Sequence, residues 1–321
     1  MADVMQLVAR AGNNALEQNP TVADIDITVR GSDWLWAVFS IMGLSFLGVS
    51  FYTFLRIPRG ERAIAYCASI VLATASIAYF SLASDLGATP ITVEFLHGNW
   101  AHSGTGINGL PTRSIWYVRY IDWTITTPFL LLTLLLVTPI PLSNVVFCIF
   151  ADLVMIITGL VGSLVHSQYK WGYFAFGCIA MFYVYWILFG PGLEAAKQSG
   201  GQVHKAYVSG TFMLTFLWLL YPIAWGLADG GNVIHPDSEQ IFYGILDVLA
   251  KPVFTVYHLW ALRNVDYNLY GLNSGKASLY TGAPHQSATD GPDRLARGPV
   301  RKNVDARQSD VTASDPHTHN V

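Results

Sequence analysis

Charge is scarce in this 321-residue sequence. Asp, Glu, Lys and Arg together make up 12% of it, against roughly 25% in an average soluble domain. Cysteine is scarcer still: Cys67, Cys148 and Cys178 each lie inside an apolar run. That placement argues against a disulfide framework or a cysteine-held metal cluster, so all three are expected to pack as core residues and no metal site is expected. The net charge of -3 contains no basic excess, which excludes nucleic acid as an expected partner. Met1–Asp33 lacks the short apolar core of a cleavable signal, so the first apolar span is expected to direct its own insertion.

Apolar residues are plentiful. They account for 52% of the chain, the mean hydropathy is +0.39, and the apolar stretches are long. A window of about 20 residues, the length that crosses a bilayer as a helix, finds seven candidate spans. They are Trp34–Leu55, Ala63–Leu82, Ile115–Val137, Val145–Val165, Gly172–Gly190, Val208–Leu227 and Gln240–Leu262. Pro- and Gly-containing breaks such as "IPRGER", "TPIPLSN" and "DGGNVIHPDSEQ" separate them. The expected fold is therefore an all-α bundle of seven transmembrane helices in a lipid bilayer. The longest connection, Ser84 to Ser114, is rich in Gly, Asn and Thr and suits a hairpin or lid over one mouth of the bundle.

Orientation follows from the basic residues near span ends. Arg56, Arg59 and Arg62 follow the first span, Lys197 and Lys205 the fifth, and Arg263 the seventh, whereas the N-terminal segment carries Asp24, Asp26 and Asp33. The expectation is an extracellular segment over residues 1–33, a bundle over 34–263 and a polar, disordered cytoplasmic tail over 264–321.

A charge at the centre of a bilayer costs about 2.5 to 3.5 kcal/mol on insertion scales, so the few that occur need partners or a wet cavity. They are Arg119 and Asp122 in the third span, Asp152 in the fourth, and Asp247 and Lys251 in the seventh. Arg119 and Asp122 are three apart, Asp247 and Lys251 four apart, so each pair shares a helix face. If those faces meet, one amine meets two carboxylates and a guanidinium. A structural ion-pair network and a functional site are both consistent with that spacing. His258 lies nearer the end of the seventh span, where an interfacial histidine is the expected reading and a titratable helper to the site the alternative.

"RYIDWTITTP" (Arg119–Pro128), "TGLVGSL" (Thr158–Leu164), "LWLLYPIAW" (Leu217–Trp225) and "LDVLAKP" (Leu246–Pro252) together resemble the microbial rhodopsins, the fungal branch above all, with bacteriorhodopsin as a relative. The resemblance covers Trp34 to Arg263 and keeps the order of the motifs. It implies a light-activated membrane protein and not an enzyme. Lys251 would carry all-trans retinal as a Schiff base, with Asp122 and Asp247 as counter-ions and Asp122 as proton acceptor. Arg119 would keep both carboxylates ionised, and Thr126 would hydrogen-bond Asp122. Asp229 and Glu239 match the carboxylates that release a proton, and Asp152 matches an acid with a structural role.

The positions matching the retinal pocket are Trp123, Thr127, Leu130, Met155, Gly159, Phe174, Trp218, Tyr221 and Trp225, with Phe174 departing from a tryptophan in bacteriorhodopsin. A second departure affects function. Pumping members carry a carboxylic acid eleven residues after the acceptor, about 16 Å along the helix; here that position is Thr133. The resemblance thus implies an outward proton pump whose Schiff base is reprotonated slowly, or alternatively a photosensor with a long-lived state and a signalling partner at its tail. An oligomer is compatible with either. A chloride pump would want a neutral group at Asp122, and a receptor of the animal opsin type lacks "RYIDW".

Overall fold

The computed structural model describes residues 13–21, 23–98 and 100–265. The tail expected over 264–321 lies outside the described residues from 266 onward. The first apolar run folds as α1 (Val29–Arg56), which begins at Thr28, whose hydroxyl accepts a hydrogen bond from the Arg30 N–H at 3.3 Å. After a short connection containing Pro58, α2 (Ala63–Ala83) returns alongside it. The long connection forms an antiparallel hairpin of β1 (Thr89–Thr92) and β2 (Thr112–Ile115), with Thr89 opposite Ile115 and Thr92 opposite Thr112. Next come α3 (Tyr117–Leu135), α4 (Leu142–Leu164), α5 (Lys170–Gln198), α6 (Gly201–Gly230) and α7, which runs through Pro236–Val248, Leu249–Val253 and Phe254–Ala261.

Seven helices therefore stand where seven spans are expected, but their ends differ. α1 starts five residues before Trp34, inside the segment expected to precede the bundle, and α6 starts seven residues before Val208. An apolar window detects composition, whereas helical hydrogen bonding continues into polar turns beyond it. The expected third span is shortened for the opposite reason: Ile115 pairs in β2 before the helix begins. Among the described residues, five helices are long and apolar enough to cross a membrane by length and composition. The other two, α3 and α7, are those that carry Arg119, Asp122, Asp247 and Lys251.

Burial is inverted relative to a water-soluble bundle. Large apolar side chains on the outer faces are open, with Leu44, Phe51 and Ile77 at 70%, 68% and 71% exposure, while Asp152, Gln240 and Thr126 are fully buried. An apolar belt of this extent suits lipid. Of the cysteines, Cys67 and Cys148 are buried as expected, and Cys178 is half-buried.

Three helices contain a π-helical turn, at Leu188–Gly192 in α5, Gly226–Gly230 in α6 and Leu249–Val253 in α7. Such turns are frequent at functional sites. The one in α7 holds Lys251 and Pro252. Proline has no N–H and cannot continue the ladder; one turn on, the Thr255 hydroxyl donates to the Lys251 carbonyl at 2.6 Å.

The hairpin closes one end of the bundle. Ile25 pairs with β2 through Ile25 N–H to Thr112 O at 2.9 Å and Ser114 N–H to Ile25 O at 3.0 Å. The neighbouring Asp24 carboxylate accepts the backbone N–H groups of Thr105 at 2.9 Å and Thr112 at 2.8 Å, which hold its pKa down at about 2. Asp85, just past α2, accepts from the Trp116 indole at 3.2 Å; burial, with Asp26 beside it, pushes it up to about 6.

Candidate functional site

α3 and α7 place their charged faces against each other in the middle of the bundle. Lys251 Nζ lies 2.5 Å from Asp122 Oδ2 and 3.0 Å from Asp247 Oδ2, with all three side chains at most 2% exposed. Two tyrosines complete the arrangement: Tyr221 donates to Asp247 Oδ1 at 2.6 Å and Tyr79 donates to Asp247 Oδ2 at 2.8 Å. Asp247 is thus fully hydrogen-bonded, whereas Asp122 Oδ1 has no protein partner. The two carboxylates are therefore unequal, and Asp122 is the one with an oxygen free to receive a proton. The Thr126 hydroxyl, expected to bond the Asp122 side chain, donates instead to the Asp122 main-chain carbonyl at 2.9 Å. A threonine four residues on in a helix reaches that carbonyl more readily than a side chain pointing across the bundle.

Towards the hairpin end the polar groups continue. Arg119, expected a turn further out to keep both carboxylates ionised, forms no ion pair or hydrogen bond with either. Its Nη2 donates to Gln240 Oε1 at 2.5 Å and lies 3.6 Å from Glu239 Oε1, and its guanidinium stacks 4.1 Å from the Tyr243 ring centre. Glu239, one turn into α7, takes the stronger partner from the hairpin: Arg113 Nη2 at 2.7 Å, with both side chains 2% exposed. Arg113 also donates to Asn232 Oδ1 and to the Ile234 carbonyl, each at 2.8 Å. Asn232 adopts a left-handed backbone at φ 50° and donates to the Phe95 carbonyl at 3.1 Å, tying the α6–α7 connection to the hairpin. Asp229 accepts from Tyr120 at 2.7 Å, and its other oxygen is buried without a protein partner. Neither acid is simply a water-facing loop residue.

A cavity opens beside Lys251 between α3, α4, α5, α6 and α7. All nine residues expected to form a pocket, Trp123, Thr127, Leu130, Met155, Gly159, Phe174, Trp218, Tyr221 and Trp225, line it, as do Asp247 and Lys251. Part of its wall is an aromatic cluster: Phe174 stacks on Trp225 with ring centres 5.1 Å apart, and Trp171 meets both edge-on. Phe174 therefore fills its place in the wall even without a tryptophan. On α4, Asp152 accepts from the Thr127 hydroxyl at 2.7 Å, binding the fourth helix to the third behind the cavity wall.

Away from the hairpin the interior is nearly apolar. The Thr133 hydroxyl donates to the Leu130 carbonyl at 2.7 Å, and the Thr133 carbonyl lies 3.0 Å from His258 Nε2. His258 was expected near an interface; it is 1% exposed, because α7 packs that face against α3 and α6. Several site residues had no clear local signal. Arg113 reads as a loop arginine, and Tyr79 as one more aromatic in an apolar run; only the three-dimensional packing buries them against Glu239 and Asp247.

A family profile described as bacteriorhodopsin-like protein matches residues 31–265. The chain belongs to the bacteriorhodopsin-like family. Within it, this rhodopsin is similar to fungal opsin-like proteins: it is 49% identical over 280 residues to the opsin-like protein carO of Fusarium fujikuroi, covering 85% of this chain and 87% of carO. It is 48% identical over 290 residues to protein FDD123 of Trametes versicolor, covering 89% and 98%. Among solved structures it is similar to the light-driven proton pump of Leptosphaeria maculans, with 33% identity, a TM-score of 0.69 and coverage of 75% of this chain and 99% of that one. Microbial rhodopsins bind retinal, and this rhodopsin's cavity fits such a group on its own geometry. It is walled by aromatic and aliphatic side chains and lined by Asp247 and the Lys251 amine, which Asp122 also contacts.

Proposed function

We propose that this rhodopsin is a light-driven outward proton pump of low turnover. All-trans retinal, an apolar aldehyde able to condense with the Lys251 amine, would supply the light-driven change of shape that drives a proton off that nitrogen. The observation that carries the reading is the asymmetry of the buried polar groups around Lys251. On the hairpin side, Asp122 and Asp247 are followed by Arg119, Gln240, Glu239 and Arg113, with Asp229 held by Tyr120. On the other side the position that would hold a carboxylic acid is Thr133.

Direction follows from charge. Arg56, Arg59, Arg62, Lys197, Lys205 and Arg263 sit at the end opposite the hairpin, which the positive-inside tendency assigns to the cytoplasm. The hairpin end then faces outward, and a plasma membrane is the natural setting. Asp122 accepts the proton through its open oxygen, and movement of Arg119 between Gln240 and Glu239 unsettles the Glu239–Asp229 region from which a proton leaves. Threonine cannot donate near neutral pH, so return of a proton to Lys251 from the cytoplasmic side is slow.

That same threonine favours a second reading, a photosensor whose state persists long enough to engage a signalling partner at the C-terminal tail. Cells expressing the protein with retinal separate the two. Sustained acidification of the medium under steady light, abolished by an uncoupler, supports the pump; a coloured, photocycling protein that moves no net protons supports the sensor.

A further inference from the structure

The absence of a carboxylic acid at Thr133 raises the question of what else returns a proton from the cytoplasmic side. We propose that His258 is the relay through which a proton reaches the Lys251 nitrogen. The inference rests on the reading of Lys251 as a proton-releasing site, but it draws on different groups. His258 lies seven residues after Lys251, two helical turns and about 10 Å along α7 on the same face. Thr255 occupies the turn between them, its hydroxyl on the Lys251 carbonyl at 2.6 Å.

The imidazole is held in one orientation. Its Nε2 is 3.0 Å from the Thr133 carbonyl, which can only accept, so Nε2 carries the hydrogen and Nδ1 presents a bare lone pair. Nδ1 is buried and meets no protein partner. Buried polar atoms are usually satisfied, and this one is not. A Cβ on Gly210 would stand 3.1 Å from Nδ1, so any larger residue there would crowd that edge of the ring. Thr211, next along α6, is also buried. The Phe254 ring stacks on the imidazole at 5.5 Å and 8°. The groups placed against the ring, the Thr133 carbonyl of α3, Gly210 of α6 and Phe254 of α7, carry no charge.

In the relay, Nδ1 takes a proton from water reaching it from the cytoplasmic end, giving an imidazolium with hydrogen on both nitrogens. The proton then leaves Nδ1 through water along the Thr255 face to the Lys251 nitrogen, and the neutral ring is restored. The competing explanation is purely structural. In that account the Thr133 carbonyl lies in the last turn of α3, where carbonyls lack helical partners, and His258 serves only to cap it.

His258→Gln distinguishes these, because a glutamine amide can donate to the same carbonyl but cannot be protonated. In the retinal-loaded protein, recovery of visible absorbance after a flash is expected to slow on the order of tenfold or more in H258Q, and azide, a small mobile proton donor, is expected to restore it. A wild-type rate in H258Q leaves only the cap and overturns the relay. Nitrogen-15 NMR of the retinal-free, histidine-labelled protein is a second readout, expected to show a neutral ring protonated at Nε2; hydrogen on Nδ1 instead overturns the proposal. Should H258Q fail to fold, Gly210→Ala tests the same edge while keeping the imidazole, and an unchanged recovery rate counts against the relay. Slowed recovery with no net acidification in the parent protein would sink the pump reading and leave the relay standing. Full acidification at an unchanged rate in H258Q would do the reverse.

Discussion

Lys251 Nζ and Asp122 Oδ2 are 2.5 Å apart although 129 residues separate them in the chain. Neither residue can be buried alone at acceptable cost, since an unpaired charge inside a bilayer is costly. Their meeting fixes the register of α3 against α7, and Asp247 at 3.0 Å makes the amine common to both helices. Charge pairing here does two things at once: it holds the helices together and leaves Asp122 with an open oxygen.

The first prediction concerns that amine. Lys251→Ala incubated with retinal should remain colourless in the visible, because no other buried amine among the described residues lines the cavity. It should also lose stability by about 3–5 kcal/mol, since two buried carboxylates then lack their cation. An absorption spectrum and a thermal melt of the same sample check both. A coloured variant would place the linkage elsewhere.

Arg113 tests the hairpin end. It bonds Glu239, Asn232 and the Ile234 carbonyl from a fully buried position. Arg113→Gln leaves Glu239 with only the longer contact to Arg119, and should cost about 3–5 kcal/mol. Arg113→Gln combined with Glu239→Gln should cost less than the sum of the single changes, because each single change strands its partner's charge whereas the double change removes both members of the pair. Additive losses in a double-mutant cycle would show that the pair is not coupled.

The difference between Arg113 and Lys251 shows how much the sequence itself discloses. The seven apolar runs locate the helices because lipid demands them, and the i,i+4 spacing of Asp247 and Lys251 survives folding as a shared face. The pocket residues are legible through their motifs, which keep their order along the chain. Helix ends, the burial of Arg113 and Tyr79, and the partners of Arg119 are not legible. Each depends on which loop or helix lies opposite, a long-range fact that no local spacing encodes. His258 illustrates the same limit: its distance from the end of an apolar run suggests an interface, while packing against Thr133 and Gly210 seals it inside.

The pH dependence of stability should report Asp85. Its folded pKa is about 6 against an ordinary 3.8, so between those values the folded protein holds a proton that the unfolded chain has lost. Stability contributed by this group is therefore present in full below about pH 4 and declines as pH rises through about 6. Asp85→Asn should flatten that part of the profile, modestly because the side chain is partly open to water. Melting midpoints measured between pH 4 and 7 in both proteins give the answer; parallel profiles would assign the dependence to another group.

Thr133→Asp supplies the acid that its position lacks. The Thr133 side chain is buried and bonds only the Leu130 carbonyl, so an aspartate placed there would be desolvated and held protonated near neutral pH. It would then stand as a donor on the cytoplasmic side of Lys251, one turn of α3 from the carbonyls that cap its end. Absorbance recovery after a flash should quicken by about tenfold or more, and the gain should persist when His258→Gln is added, since the new acid bypasses the imidazole. If recovery is unchanged in the single variant, protons do not return past this point on α3. If it quickens alone but not with His258→Gln, the acid delivers its proton through the histidine and not beside it.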